Sequence, residues 1–243
     1  MRRFTAEYLD ATREGMWADS RSALADLNLD SCERVLDVGA GTGELTAVLR
    51  EETDGEVVAV DADAGLLAHA PPPRVAGDAT RLPFGDDGVD LVVCQALLVN
   101  LPDPVEAIRE FARVARERVA VIEPDNAAVT VDSTVDSESE LAERARRLYV
   151  DAAATDPAVG DASDLFAAAG IEQTTVRRYD HERNTAAPYS EQALEAARRK
   201  ASGAGIDSDR ETILGGETTA EEFDRLRERW RAMGREAIEQ IRD

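Results

Sequence analysis

From Arg34 onward the chain alternates short apolar runs with helical stretches. RVLDVG, EVVAVD, PRVAG, VDLVVCQ and RVAVIEP are apolar almost throughout, and LTAVLRE, AGLLAHA and DPVEAIREFARVA separate them. Strands that are apolar on both faces, with helices between them, mark a parallel sheet covered on each side. The pattern predicts an α/β core built on a doubly wound, mostly parallel sheet. The third of these helices has its own start signal: Asp103 as cap, Pro104 at the first position and Glu106 three residues after the cap. Val105, Ile108, Phe111, Ala112 and Ala115 then form its core-facing stripe.

The flanks read differently. Residues 4–27 predict one or two short helices with Phe4, Tyr8, Leu9 and Trp17 as apolar positions, a helical cap over 1–30. After Pro124 the segment AAVTVDSTVDSESE is polar and precedes a helix from Ser137 to about Ala153, so an insertion after the fifth strand is expected over about 127–155. SDLFAAAG reads as a helix stopped by Gly170, and IEQTTVRRY as a sixth strand that completes a domain over 31–180. The remainder, 181–243, reads as a helical extension or lid. There Thr219 and Glu222 have capping-box spacing, and Phe223, Leu226, Trp230, Met233, Ala237 and Ile241 recur at helical intervals.

Charge narrows the partners. Fifty acidic against 28 basic side chains leave a formal net charge of -22, which repels nucleic-acid backbones and anionic lipid. Lys200 is the single lysine, and this acidic, lysine-poor composition resembles that of proteins from salt-loving microbes. Concentrated salt shortens the screening length until such self-repulsion costs little. Cys32 and Cys94 are too few for a disulfide framework, and His69 and His181 lack metal-ligand spacing, so no metal is expected. With no membrane-length apolar run and no signal-peptide pattern after MRRFTAEYLD, the expected compartment is the cytoplasm.

Ligands of open parallel sheets bind beyond the carboxyl ends of the strands, where the winding reverses. The first such loop is VLDVGAGTGELT, with Asp37 ahead of Gly39, Gly41 and Gly43 at alternate positions. Dinucleotide folds use G-x-G-x-x-G, and here the third position of that pattern is Glu44. The second strand ends VVAVDAD, which places Asp61 eighteen residues after Gly43, where a carboxylate suits the two hydroxyls of a ribose. The third loop reads GDATRLPF and leads into the fourth strand.

Taken in order, these motifs resemble class I S-adenosylmethionine-dependent methyltransferases over about Val35 to Asp125, of the small-molecule type that includes the ubiquinone and menaquinone biosynthesis enzymes. The resemblance implies a Rossmann-like fold and S-adenosylmethionine as cofactor, with S-adenosylhomocysteine as product. It implies that Asp37, Gly39, Ala40, Gly41 and Gly43 hold the methionine part, Asp61 and Ala62 the ribose, and Asp78 and Ala79 the adenine, with Gln95 and Ala96 as the far wall. Val99 and Asn100 stand where family members often carry histidine, and a seventh, antiparallel strand has no clearer candidate than TILGGE.

A sulfonium is already a strong methyl donor, so alignment of the acceptor is the main task and a dedicated catalytic residue is optional. Should the acceptor need to lose a proton, Glu123 is the first candidate base and Asp125 the second. Tyr8, Trp17, Asn100, Tyr149 and Tyr189 are candidates to line an acceptor pocket. The expected partner is a small molecule, with no nucleic acid and no membrane, in a monomer or homodimer. Two other readings stand beside this one: a non-catalytic sensor or partner subunit that binds the cofactor or its product, and an NAD(P)-dependent oxidoreductase. The second lacks a Tyr-x-x-x-Lys pair, since Ala196 precedes Lys200 at that spacing.

Overall fold

The computed structural model describes residues 16–153, 162–172, 174–182 and 184–242, together with Thr5, Ala6 and Leu9. The chain divides into two compact units, Met1–Pro124 with Asp161–His181, and Asp125–Gly160 with Glu182–Asp243.

The first unit carries five strands: β1 Arg34–Val38, β2 Glu56–Asp61, β3 Arg74–Ala76, β4 Val89–Gln95 and β5 Ala115–Ile122. All pairings are parallel, in the order β3-β2-β1-β4-β5. The apolar runs form strands here because both faces are covered. Val35, Val57, Leu91 and Val93 face the helix Glu44–Glu52 through Leu45, Val48 and Leu49, and Trp17, Leu24 and Leu29 join that layer. Leu36, Val38, Val58, Val60, Val92 and Cys94 face the other way, against Ala107, Ile108, Phe111 and Val114 of the helix Pro104–Val114 and Phe166 of the helix Ser163–Ala168. The order reverses between β1 and β4, which opens a crevice at their carboxyl ends.

Local signals act as the residue types require. Asp103 accepts the Glu106 amide at 3.0 Å, with Pro104 in the first turn. Asp90, buried in β4, accepts the amides of Glu33 and Arg34 at 2.8 and 2.9 Å and so ties the entry of β1 to β4. Those amides hold its carboxyl below the usual carboxylate range.

Two sequence expectations are corrected. Residues 171–172 and 174–179 of IEQTTVRRY form no strand; Val176 and Tyr179 lie exposed, and the segment is pinned by an Arg177–Asp26 ion pair and a Tyr179 hydroxyl donating to the Ser22 carbonyl at 3.4 Å. Its apolar residues fall at Ile171, Val176 and Tyr179 without a two-residue alternation, and of these Ile171 packs on the sheet's apolar layer while Val176 and Tyr179 are exposed, so the segment has no continuous face to bury as an edge strand. TILGGE is the end of a helix, Arg210–Gly215, because Ile213 buries completely in a helical cluster rather than on a sheet.

The second unit, among the described residues, is helical: Glu138–Ala152, Glu191–Ser202, Ala204–Asp207, Arg210–Gly215 and Ala220–Arg242 surround Val135, Leu141, Ile206, Ile213, Phe223, Leu226 and Met233. The capping box forms: Thr219 donates its amide to Glu222 Oε2 at 2.9 Å, and the Glu222 amide returns to Thr219 Oγ1 at 3.3 Å. Two helices meet backbone to backbone at Gly234, where a Cβ would lie 2.2 Å from the Ala201 nitrogen. Lys200, the chain's one lysine, pairs with the buried Glu138, which also accepts from Ser133 at 2.7 Å.

Phe111 is fully buried between the sheet and the Pro104–Val114 helix. Phe111→Ala is expected to lose about 3–5 kcal/mol in urea unfolding, and a loss below about 1 kcal/mol would contradict the packing described.

Candidate functional site

The turn that leaves β1 runs across the end of β2. Gly39, Gly41 and Gly43 all adopt left-handed backbone, with φ of 73°, 57° and 88°. The amides of Gly39 and Ala40 both donate to the Val60 carbonyl, at 2.8 and 3.0 Å, and that of Gly43 closes onto the Ala40 carbonyl at 2.8 Å. A Cβ on Gly43 would stand 2.7 Å from the Ala70 Cβ, so the turn is pressed against the chain that follows β2. Asp37, at 1% exposure, accepts from the Thr46 hydroxyl at 2.6 Å and fastens β1 to the helix Glu44–Glu52.

Asp61 ends β2 with both carboxylate oxygens engaged by backbone. Oδ2 accepts the Gly41 amide and Oδ1 the Asp63 amide, each at 2.8 Å. A carboxylate has about four lone-pair sites, so two remain for ligand donors. Ala62 follows, exposed on the loop. Asp78, beyond β3, accepts the Thr80 amide and hydroxyl on Oδ1 alone, both at 2.8 Å, which leaves Oδ2 available to a ligand amine. The Thr80 amide and hydroxyl hold this carboxyl below its usual range. Ala79 is buried beside it.

At the end of β4, Gln95 is 4% exposed; its Nε2 donates to Met16 Sδ at 3.1 Å, and its Oε1 is buried with no hydrogen-bond partner. Ala96 turns through a left-handed φ of 49°, held by its amide to the Ile122 carbonyl at 2.9 Å. Leu97 then lies so close to the glycine turn that a Cβ on Gly39 would meet its Cδ1 at 2.8 Å. The Asn100 side chain donates back to the Ala96 carbonyl at 2.9 Å.

Glu123, just past β5, points into this loop. Oε1 accepts the amides of Leu97 and Leu98, both at 2.9 Å, and Oε2 that of Val99 at 3.3 Å. Burial pushes its pKa up to about 7, against the opposing pull of these amides. Burial also pushes the neighbouring Cys94 thiol up. The sequence suggested a base at Glu123; the structure shows a carboxylate committed to backbone amides. Asp125 Oδ1 likewise accepts the amides of Ala127 and Ala128, at 3.2 Å each, and shapes a turn.

The eleven residues assigned to cofactor contact thus gather along the carboxyl ends of β1, β2, β3 and β4 within one unit. The acceptor-side candidates among the described residues are divided between the two units. Tyr8 lies outside the described residues. Trp17 is buried in the apolar layer on the Glu44–Glu52 side, with Nε1 unpartnered. Tyr149 and Tyr189 belong to the other unit, Tyr149 packed on its apolar cluster. Thr46, Leu97 and Met16 were missed. Thr46 alone left a trace, as a hydroxyl in the first turns of the helix facing Asp37.

A switch-point crevice walled by a glycine turn and acidic strand ends is the ligand site of an open α/β sheet. Residues 36–122 match the family model described as a methyltransferase domain. The demethylmenaquinone methyltransferase of Mycobacterium tuberculosis (strain ATCC 25618 / H37Rv) is 41% identical over 99 residues, which is 40% of this chain and 42% of that protein. Its counterpart in Mycolicibacterium paratuberculosis is 42% identical over 116 residues, 44% of this chain and 49% of that one. The matched segment therefore spans less than half of these curated relatives. Among solved structures, a SAM dependent methyltransferase from Aquifex aeolicus aligns with a TM-score of 0.47 and 20% identity, over 54% of this chain and 79% of that one.

The raised Glu123 value has a thermodynamic sign. Its protonated form favours the folded state, so its contribution is full below the ordinary carboxylate range and is lost as pH rises through about 7. Glu123→Gln removes that dependence. Between about pH 5 and 8 the unfolding free energy of the variant is expected to gain on that of the wild type, by an amount on the order of 3 kcal/mol at full ionisation. Parallel pH profiles for the two proteins would contradict this.

Proposed function

We propose that this chain is an S-adenosylmethionine-dependent methyltransferase that moves a methyl group to a small-molecule acceptor by in-line displacement. The observation that carries the reading is the convergence of the Gly39–Gly43 turn with the carboxylates of Asp61 and Asp78 on one edge of the sheet, each with acceptor capacity to spare. The residues present fit the group. The turn brings bare backbone to the site, Asp61 has two lone pairs for ribose hydroxyls, Asp78 Oδ2 suits an adenine amine, and Gln95 Oε1 is a buried acceptor awaiting a donor. When bound, the sulfonium supplies an electrophilic methyl group.

The chain's contribution to rate is positioning. Holding two reactants in line supplies about 7–11 kcal/mol in favourable cases. Glu123 and Asp125 both accept backbone amides, which supports an acceptor that arrives as a competent nucleophile. The similarity to demethylmenaquinone methyltransferases over residues in this segment supports a small organic acceptor. The net charge supports a partner other than nucleic acid. Among the described residues no helix is long and apolar enough to cross a membrane.

Calorimetric titration tests the reading. S-adenosylhomocysteine is expected to bind and NAD not to, with Asp61→Ala weakening binding by about 100-fold through loss of charge-assisted bonds worth ~1.5–3 kcal/mol each. Binding of NAD in preference would overturn it, and binding without turnover over a broad acceptor panel would favour a sensor.

The acidic, arginine-based surface supports a second part of the proposal, that the protein is adapted to concentrated salt and works in the cytoplasm of such a cell. Its thermal midpoint is expected to rise steadily from dilute to molar KCl as screening relieves self-repulsion. A flat or falling trend would contradict that adaptation.

A further inference from the structure

The carboxylate of Glu123 has a use beyond shaping its own turn. Three consecutive amides, those of Leu97, Leu98 and Val99, converge on its two oxygens from the loop after β4. The loop's other anchors are the Ala96 amide on the Ile122 carbonyl, the Asn100 side chain on the Ala96 carbonyl, the Asn100 and Leu101 amides on the Leu97 and Leu98 carbonyls, and Leu98 buried in the apolar core. Its first residue is held in left-handed backbone without being glycine. Leu97, whose amide Glu123 receives, is the residue whose side chain rests on Gly39. A continuous set of contacts thus runs from the end of β5, through the β4 loop, to the turn that leaves β1.

We infer that Glu123 is a positioning residue for the cofactor cleft: by gathering the amides of Leu97, Leu98 and Val99 it holds Leu97 against Gly39 and sets the spacing between the β4 loop and the glycine turn. This rests on the functional reading above, since the cleft it shapes is the one assigned to S-adenosylmethionine.

The chemistry makes the clamp sensitive to protonation. An ionised carboxylate only accepts, and so suits three donors; a protonated one keeps a carbonyl oxygen for the Leu97 and Leu98 amides, while its hydroxyl is a poorer acceptor and weakens the contact with Val99. The titratable groups facing it are the Cys94 thiol on β4, 3.9 Å from Oε1, and beyond it Asp37 on β1, which acts on the same thiol. Neither supplies a positive charge, and the loop residues Ala96–Asn100 have no ionisable side chain. Burial has already brought the carboxyl to about 7, so the change of state falls near neutrality.

The test uses the full chain in concentrated KCl with S-adenosylhomocysteine as probe. Affinity is measured by calorimetry near pH 8 and pH 6 for wild type, Glu123→Gln and Glu123→Asp, and amide-exchange protection factors are read at Leu97, Leu98 and Val99 in the cofactor-free protein. For the wild type we expect a severalfold loss of affinity on acidification, with protection of the Val99 amide falling in step while β1 amides stay protected. Glu123→Gln should bind about tenfold more weakly at pH 8 and show no further pH dependence, because its amide nitrogen donates toward Val99. Glu123→Asp, shorter but still ionisable, should keep a pH dependence at reduced affinity, which a fold-wide defect would not reproduce. Protection of the β1 amides reports whether each variant is folded; if Glu123→Gln is not, the wild-type and Glu123→Asp profiles decide. Wild-type binding and loop protection that ignore pH, or a Glu123→Gln variant indistinguishable from wild type, would overturn the positioning role alone. Failure of the folded wild type to bind the probe at either pH would overturn the functional reading, and this inference with it.

Discussion

The chain that leaves β1 must cross the end of β2 with almost no space between them, and the rest of the site follows from that constraint. The Val60 carbonyl receives two amides of the turn, Asp61 receives a third, and Ala70 closes the far side against Gly43. Side chains are shut out at the points of contact, so the turn is bare backbone in left-handed conformation, and the strand ends on either side supply the polar groups. Asp37 and Thr46 then lock the helix that follows onto β1. The crevice is therefore a consequence of how tightly the two strands and one turn pack, with the buried sheet below fixing where each carboxylate emerges.

That packing divides the acids of this very acidic chain into two kinds. Asp37, Asp61, Asp78, Asp90 and Glu123 are each held by backbone amides or a hydroxyl, and they order loops and strand ends. Others lie on the surface and meet arginines in exposed pairs such as Arg34–Glu56 and Arg21–Glu51, each worth little in water. Most of the net charge thus bears on solubility and salt response, while a handful of carboxylates builds the site. Glu138 joins the first kind in the helical unit, buried with the Ser133 hydroxyl and paired with Lys200.

What could be read from the residues was what local physics dictates. Runs such as VDLVVCQ are apolar at every position because they are buried on both faces, and that demand is visible without knowing the partners. The glycine turn was equally visible, since left-handed backbone and close approach leave few alternatives. Asp103 and the Thr219–Glu222 pair followed from helix ends needing acceptors. IEQTTVRRY misled because its residues favour strand while, among its described apolar residues, Ile171 packs on the core and Val176 and Tyr179 stay exposed, and TILGGE because its one fully buried residue, Ile213, serves a helical cluster equally well. The hold of Glu123 on Leu97, Leu98 and Val99 left no trace, because a side chain that binds backbone amides imposes no residue type on the loop it binds. The acceptor-side aromatics were chosen by type alone, and the structure places Trp17 in the core and Tyr149 and Tyr189 in the second unit.

The central claim is that the carboxyl end of this sheet is shaped to hold an adenosyl group. A crystal structure of the protein grown with S-adenosylhomocysteine tests it most directly. The account predicts electron density along the Gly39–Gly43 turn, with both ribose hydroxyls on Asp61 and the purine amine beside Asp78. Density for the ligand elsewhere on an otherwise unchanged fold, with that crevice filled by water, would contradict it.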